Sequence, residues 1–129
     1  MKITSVKAEE RFDNTEFSNE VVDGKALSIY SCYTCPYCAT RIRFQKHDFE
    51  SSARQRHSNL HPAVAASFDE FARQHLNSLD DFLDWVCPSC GLAARVYAQF
   101  WAGGKHGDCG IRLITIIEST PSDSAPNSN

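Results

Sequence analysis

The chain has 129 residues, 42% hydrophobic and 22% charged, with 13 Lys and Arg against 16 Asp and Glu for a formal net charge of -3. This length sets one hydrophobic core as the expectation, and the composition is that of an ordinary globular domain. No run approaches the roughly 18 apolar residues that span a bilayer, and the N-terminus lacks the apolar stretch of a secretory leader, so a cytoplasmic address is expected. The mild acidity argues against a dedicated polyanion binder, which carries an excess of Lys and Arg.

In chain order, Ile3 and Val6 suit the start of a strand, Phe12 and Phe17 read as isolated anchors, and Asp23-Gly24 as a turn. Residues 26–31 and 41–45 alternate apolar with polar residues, as half-buried strands do, and they flank Cys35-Pro36-Tyr37-Cys38, which predicts a hairpin with the cysteines at its tip. Residues 47–58 are polar and suit a short helix. From Pro62 a 3.6-residue period runs through Val64, Phe68, Phe71, Ala72, Leu76, Leu79, Phe82, Leu83 and Val86. Pro62 fits a first helical turn, and Ser78 with Asp81 three residues on reads as a break and a new N-cap. Helix is therefore expected over about 48–86, presenting Asp69, Glu70, Asp80, Asp81 and Asp84 mostly to solvent. Residues 94–101 and 111–118 read as two more strands joined by a Gly-rich turn at 102–107, completing a count of four. Residues 119–129 are rich in Ser, Pro and Asn and read as a disordered tail.

Six cysteines in a reducing compartment lean toward metal or redox chemistry rather than a disulfide framework. Cys-Pro-x-Cys occurs twice, at Cys35/Cys38 and Cys87/Cys90. Two cysteines separated by two residues can both reach one ion from a tight turn, and two such turns supply the four tetrahedral ligands that zinc prefers. Gly91 follows the second pair and permits the turn that aims amides at the sulfurs; Ala39 stands at the matching place in the first. On these residues the chain resembles the zinc-ribbon family, in a form with a long insertion between the knuckles. The resemblance covers about residues 26–45 and 84–118, and the insertion spans 48 residues between Cys38 and Cys87. It implies an α+β fold, a small antiparallel zinc-ribbon-type sheet with a helical insertion, as a single domain over residues 1–118. It implies Zn2+ as the bound metal but no particular function. Residues 28–38, ending in Cys35-Pro36-Tyr37-Cys38, also resemble the glutaredoxin active-site segment. That resemblance would make Cys35 a nucleophile and Cys38 its resolving thiol. The strand-like residues 41–44 and the second cysteine pair do not fit it. Cys32 lies three residues before Cys35 and competes with Cys38 as a ligand; otherwise Cys32 and Cys109 read as buried filler.

No catalytic triad, phosphate-cradling loop or buried carboxylate pair is visible, and four thiolates leave zinc no open position, so an enzyme is not expected. His57 and His61 read as surface residues and His75 as a boundary residue, whereas His106 sits in an exposed loop of the kind that carries function. The leading expectation is a protein-interaction module whose acidic helix and His106 meet one partner, for instance an immunity protein covering the basic site of a toxin. The alternative is a nucleic-acid-binding ribbon acting through Arg41, Arg43, Lys46 and the nearby aromatics Tyr33, Tyr37, Tyr97, Phe100 and Trp101.

Overall fold

The computed structural model describes residues 2–18, 20–22, 25–27, 30–45, 48–49, 59–76, 81–102 and 109–120. The alternating, β-branched and aromatic segments form nine strands: β1 (Lys2–Lys7), β2 (Glu16–Ser18), β3 (Glu20–Val22), β4 (Lys25–Leu27), β5 (Tyr30–Thr34), β6 (Arg41–Gln45), β7 (Asp81–Val86), β8 (Ala93–Ala102) and β9 (Cys109–Thr120). One helix, α1 (Pro62–His75), is traced from end to end. The main sheet runs β1-β9-β8-β7, with β2 also paired to β9, and β3–β4 and β5–β6 form separate two-stranded pairs. Every pairing is antiparallel.

The expected α+β class and the helical insertion over 48–86 are overturned by this architecture, which among the described residues is β-rich, with α1 the one α-helix traced from end to end, a 3-10 turn at Ala8–Glu10 and helical backbone at 48–49. α1 does start at Pro62, and His61 caps it, its Nδ1 accepting from the Ala63 amide at 3.1 Å. The helix then stops at His75, because Leu76 turns extended (φ -120°, ψ 139°). Asp81–Val86 is strand β7, not a second helix. The count of four strands was also too low, and β9 runs through Ser119 and Thr120, where the tail was expected to begin. The turn at Asp23-Gly24, the break at Ser78, residues 121–129 and all of the turn expected at 102–107 except Ala102, which ends β8, lie outside the described residues.

The main sheet carries apolar side chains on both faces. On one side Leu83, Trp85, Ala94, Val96, Ile111, Leu113 and Ile116 pack with Phe12, Tyr33 and Phe44, so the β5–β6 hairpin and the chain before it cover that face. On the other, Tyr97 and Ile117 pack with Leu60, Phe68 and Ala72, which brings in α1. The pattern in β9 changes phase between Leu113 and Ile116 because Tyr97 pairs with Thr115 and Ala98 with Leu113, leaving Ile114 as a bulge. That extra residue lets Leu113 and Ile116 share a face despite their odd spacing.

Each face also holds a buried charge. Arg95 is only 1% exposed. Its Nε and Nη2 donate to the two carboxylate oxygens of Asp84, directly opposite on β7, at 2.7 and 3.0 Å. Its Nη1 donates to Asp69 of α1 at 2.6 Å and to the Tyr97 hydroxyl at 3.3 Å, and its guanidinium lies 4.0 Å from the Phe82 ring centroid. Burial by itself would lower the Arg95 pKa; the hydrogen bonds from its guanidinium to Asp84, Asp69 and Tyr97 reverse that and hold it above its ordinary value. On the opposite face, Glu118 accepts from Arg11 Nε at 2.9 Å and from the Tyr33 hydroxyl at 2.7 Å.

Removing one member of a buried ion pair leaves its partner charged and desolvated. Arg95→Met is therefore expected to cost about 3–5 kcal/mol, measured by urea denaturation. Asp69→Ala, whose carboxylate is 58% exposed, is expected to cost about 1 kcal/mol or less. A combined Arg95→Met, Asp84→Leu protein should recover much of the first loss.

Candidate metal centre

Two hairpins present the cysteines in the same way. β5 enters and β6 leaves the turn at residues 35–40, with Thr34 paired to Arg41; β7 enters and β8 leaves the turn at residues 87–92, with Val86 paired to Ala93. In the first turn the Cys35 amide donates to Thr40 O at 2.9 Å and the Ala39 amide to Cys35 O at 2.9 Å. In the second the Cys87 amide donates to Leu92 O at 2.8 Å and the Gly91 amide to Cys87 O at 2.9 Å. The residue after each second cysteine sits in the left-handed region, Ala39 at φ 65° and Gly91 at φ 80°. The two turns are thus one local structure used twice, and the alanine adopts the conformation that glycine supplies at the equivalent place.

The four Sγ atoms of Cys35, Cys38, Cys87 and Cys90 lie within 4.8 Å of one another, an arrangement that can hold a metal ion. Cys35 and Cys90 Sγ are 3.6 Å apart and Cys38 and Cys87 Sγ 3.5 Å apart. A tetrahedron with sulfur at about 2.3 Å from its centre has edges of about 3.8 Å, whereas a disulfide is about 2.05 Å long, so the spacing fits shared coordination and not covalent pairing. Cys35 and Cys87 are buried and Cys38 and Cys90 half-buried.

Protonation within the group is uneven. Burial pushes the Cys35 thiol up, opposed by the backbone amides of Cys38 and Tyr37. Burial pushes Cys90 up to about 12, opposed chiefly by the Leu92 amide. Cys38 is held down at about 6, first by the Thr40 hydroxyl, 3.1 Å from its sulfur, and then by the Thr40 amide. The amides lie as donors around the sulfurs, and the Thr40 hydroxyl, which accepts from the Cys38 thiol at 3.1 Å, would donate in turn once that sulfur is a thiolate; together they would share out the negative charge of a thiolate set around a cation.

Among the described residues, the fold brings the four knuckle cysteines together as a set of possible ligands, and of the predicted acids it brings Asp69 and Asp84 together only as partners of Arg95. Asp84 is buried against Arg95, contrary to the solvent-facing position expected for it. Asp69 is exposed but engaged by Arg95, Glu70 pairs with Arg73 and accepts from Gln74, and Asp81 is half-buried at the start of β7. Asp80, His106, Lys46 and His57 lie outside the described residues. Cys32 is not buried filler: it is half-buried, on the strand before the knuckle, and stands apart from the four clustered sulfurs. Arg41 follows Cys38 at the start of a strand, so the helix that would activate a glutaredoxin-type Cys35 is replaced by β6. Sequence reasoning missed Arg95 and Glu118. Each falls at an interior strand position, where a charge among apolar neighbours signals a buried partner.

No family model matches the chain, and no curated protein or solved structure matches it either. No helix among the described residues is long and apolar enough to cross a membrane.

The two left-handed residues give a paired expectation. Gly91→Ala meets no atom within 4 Å, so its cost is the backbone conformation, about 1–2 kcal/mol. Ala39→Gly is expected to raise stability by up to about 1 kcal/mol, since relief of strain outweighs the entropy added to the unfolded chain. Denaturant midpoints at one fixed metal concentration would check both.

Proposed function

We propose that the chain is a zinc-stapled binding module in which the metal holds two β-hairpins together and performs no catalysis. The observation that carries this reading is the approach of four thiols, from two identically built turns, to the spacing of a tetrahedral sulfur site. An all-sulfur tetrahedral set suits zinc or iron, and zinc, with no redox chemistry and no geometric preference of its own, is the structural choice. Cys35, Cys38, Cys87 and Cys90 would hold it, and four protein ligands leave no position for water or substrate. When bound, the ion supplies positive charge and cross-linking. The donors at Tyr37, Cys38, Thr40 and Leu92 stabilise the thiolates it requires.

An acidic surface suited to a basic toxin was the sequence-based reason to expect a protein partner. With Asp84 buried and Asp69 engaged by Arg95, that surface reduces to Glu70 and Asp81 among the described residues. The binding function is therefore better sought elsewhere on the module.

Elemental analysis of the purified protein should give one zinc per chain. Cys87→Ser and Cys90→Ser should lose the metal and the cooperative unfolding transition, and Cys32→Ser should keep both. A coloured, iron-loaded protein would reject zinc, and full metal content in Cys87→Ser would reject the site.

Metal uptake must also release protons, because the Cys35 and Cys90 thiols are raised and a bound thiol is deprotonated. Protons therefore compete with the ion, and apparent affinity should fall steadily as pH is lowered from about 8 to 6 in competition titrations with a chromophoric chelator.

A further inference from the structure

The β5–β6 hairpin has one face against the core and one face free of it. Ser31, Tyr33 and Phe44 point inward and are buried, so the alternation places Tyr30, Cys32, Thr34, Arg41, Arg43 and Gln45 on the outer face. Cys32 is paired directly with Arg43, and Tyr30 lies diagonally from it. The Arg43 guanidinium stacks over the Tyr30 ring at 4.1 Å from the centroid, while the ring remains 45% exposed. Among aromatics suggested as a recognition surface, Tyr33 and Tyr97 are buried in the core, whereas Tyr37 at the hairpin tip is 63% exposed. The face itself carries two guanidinium groups and no carboxylate. Among the described residues two acids touch its margin: Asp13, which pairs with Arg41 at 3.3 Å, and Asp48, whose carboxylate accepts from the Gln45 amide at 2.8 Å.

We propose that this outer face of β5–β6 binds single-stranded nucleic acid, with Tyr30 and Arg43 as a stacking platform for a base and Arg41 and Arg43 as phosphate contacts. The proposal names the partner class of the binding module above and rests on that reading only in that the metal would anchor the hairpin's tip. Three features select this occupant. A guanidinium lying over an aromatic ring that is itself 45% exposed presents a π surface, which any base can cover. Arg41 and Arg43 are two residues apart on one strand, about 6.8 Å, and so form a row of positive charge along an extended backbone. The Arg41–Asp13 pair is exposed on both sides, a type of contact worth little, and Asp13 has other partners in the Cys32 amide and the Ser31 hydroxyl. Phosphate can therefore take Arg41 without disturbing the fold. The formal net charge of -3 belongs to the whole chain, and charges more than about 8 Å from the face are screened at physiological salt.

The test is fluorescence anisotropy of the metal-loaded full chain with labelled oligo-dT and oligo-U, from low to physiological salt. Binding is expected to weaken steeply with salt. Arg41→Gln and Arg43→Gln should each lower the log–log salt slope by about 0.7. Tyr30→Ser should weaken binding at least about five-fold without changing the slope. Arg43→Lys should keep the slope but lose affinity, because ammonium retains the charge and not the planar stack. Absence of binding to both oligonucleotides at low salt would overturn the proposal, as would unchanged binding in all of these variants. Equal competition by polyglutamate would also overturn it, pointing to an acidic protein segment. Zinc content measured on the same samples keeps a failure of this face distinct from a failure of the metal site.

Discussion

Four sulfurs set the relation between the two hairpins on which the remaining architecture depends. Cys35 and Cys38 end one hairpin, Cys87 and Cys90 the other, and 48 residues separate the pairs along the chain. Joining positions that far apart costs loop-closure entropy, which grows slowly with length but must be met before any contact across the gap is gained. A metal ion held by both turns would meet that cost at one point. It would act beside the packing of β5–β6 over the main sheet, where Phe12, Tyr33, Phe44 and Trp85 form an aromatic cluster with ring centroids 4.8 to 6.2 Å apart. The cluster holds the hairpin along its inner face, and an ion at the four sulfurs would hold it at its tip.

Buried charge on each face of the sheet reinforces this layering in a different way. Arg95 reaches from β8 to Asp84 on β7 and to Asp69 on α1, so the helix is tied to the sheet by direction as well as by apolar contact. Glu118 on β9 takes the Tyr33 hydroxyl, two residues from Cys35, together with Arg11. Such groups contribute little net stability when complete and cost much when incomplete. Their effect is selective, since a one-residue slip of β7 against β8 would move Arg95 away from Asp84 and place a charge among apolar side chains. The register of the strand leading into Cys87 is therefore guarded on the far side of the sheet from the metal.

The clustering of the four cysteines was legible in the sequence because its information is local. Cys-Pro-x-Cys with its following residue encodes a turn, and the turn appears twice with the same hydrogen bonds. Of the cleanly alternating segments, 41–45 is strand β6 as expected, whereas 26–31, expected as one strand, is divided between β4, which pairs with β3, and β5, which pairs with β6. β7 was not legible, and its burial explains why: Leu83 and Trp85 pack toward the hairpin while Phe82 packs toward the helix, so apolar residues fall on both faces and mimic a continuation of the helical period of α1. The internal symmetry of the chain held the missing clue. A strand enters the first knuckle, and identical turn chemistry at the second requires one there too.

The same effect misdirected the choice of a partner surface. Asp69 and Asp84 count as acidic surface only if residues 62–86 form helix with one solvated side. Once β7 is a strand, Asp84 faces α1 across Arg95, and the two carboxylates neutralise a buried cation instead of marking a docking site. Arg41 and Arg43 keep their exposure because β6 is short, pairs among the described residues only with β5, and buries Phe44 between flanking polar positions. Net charge is summed without regard to position: among the described residues most carboxylates remain exposed, yet none belongs to the outer face of β5–β6, which carries Arg41 and Arg43. For a chain of this size, then, the sign of the whole says little about the sign of the face that meets a ligand.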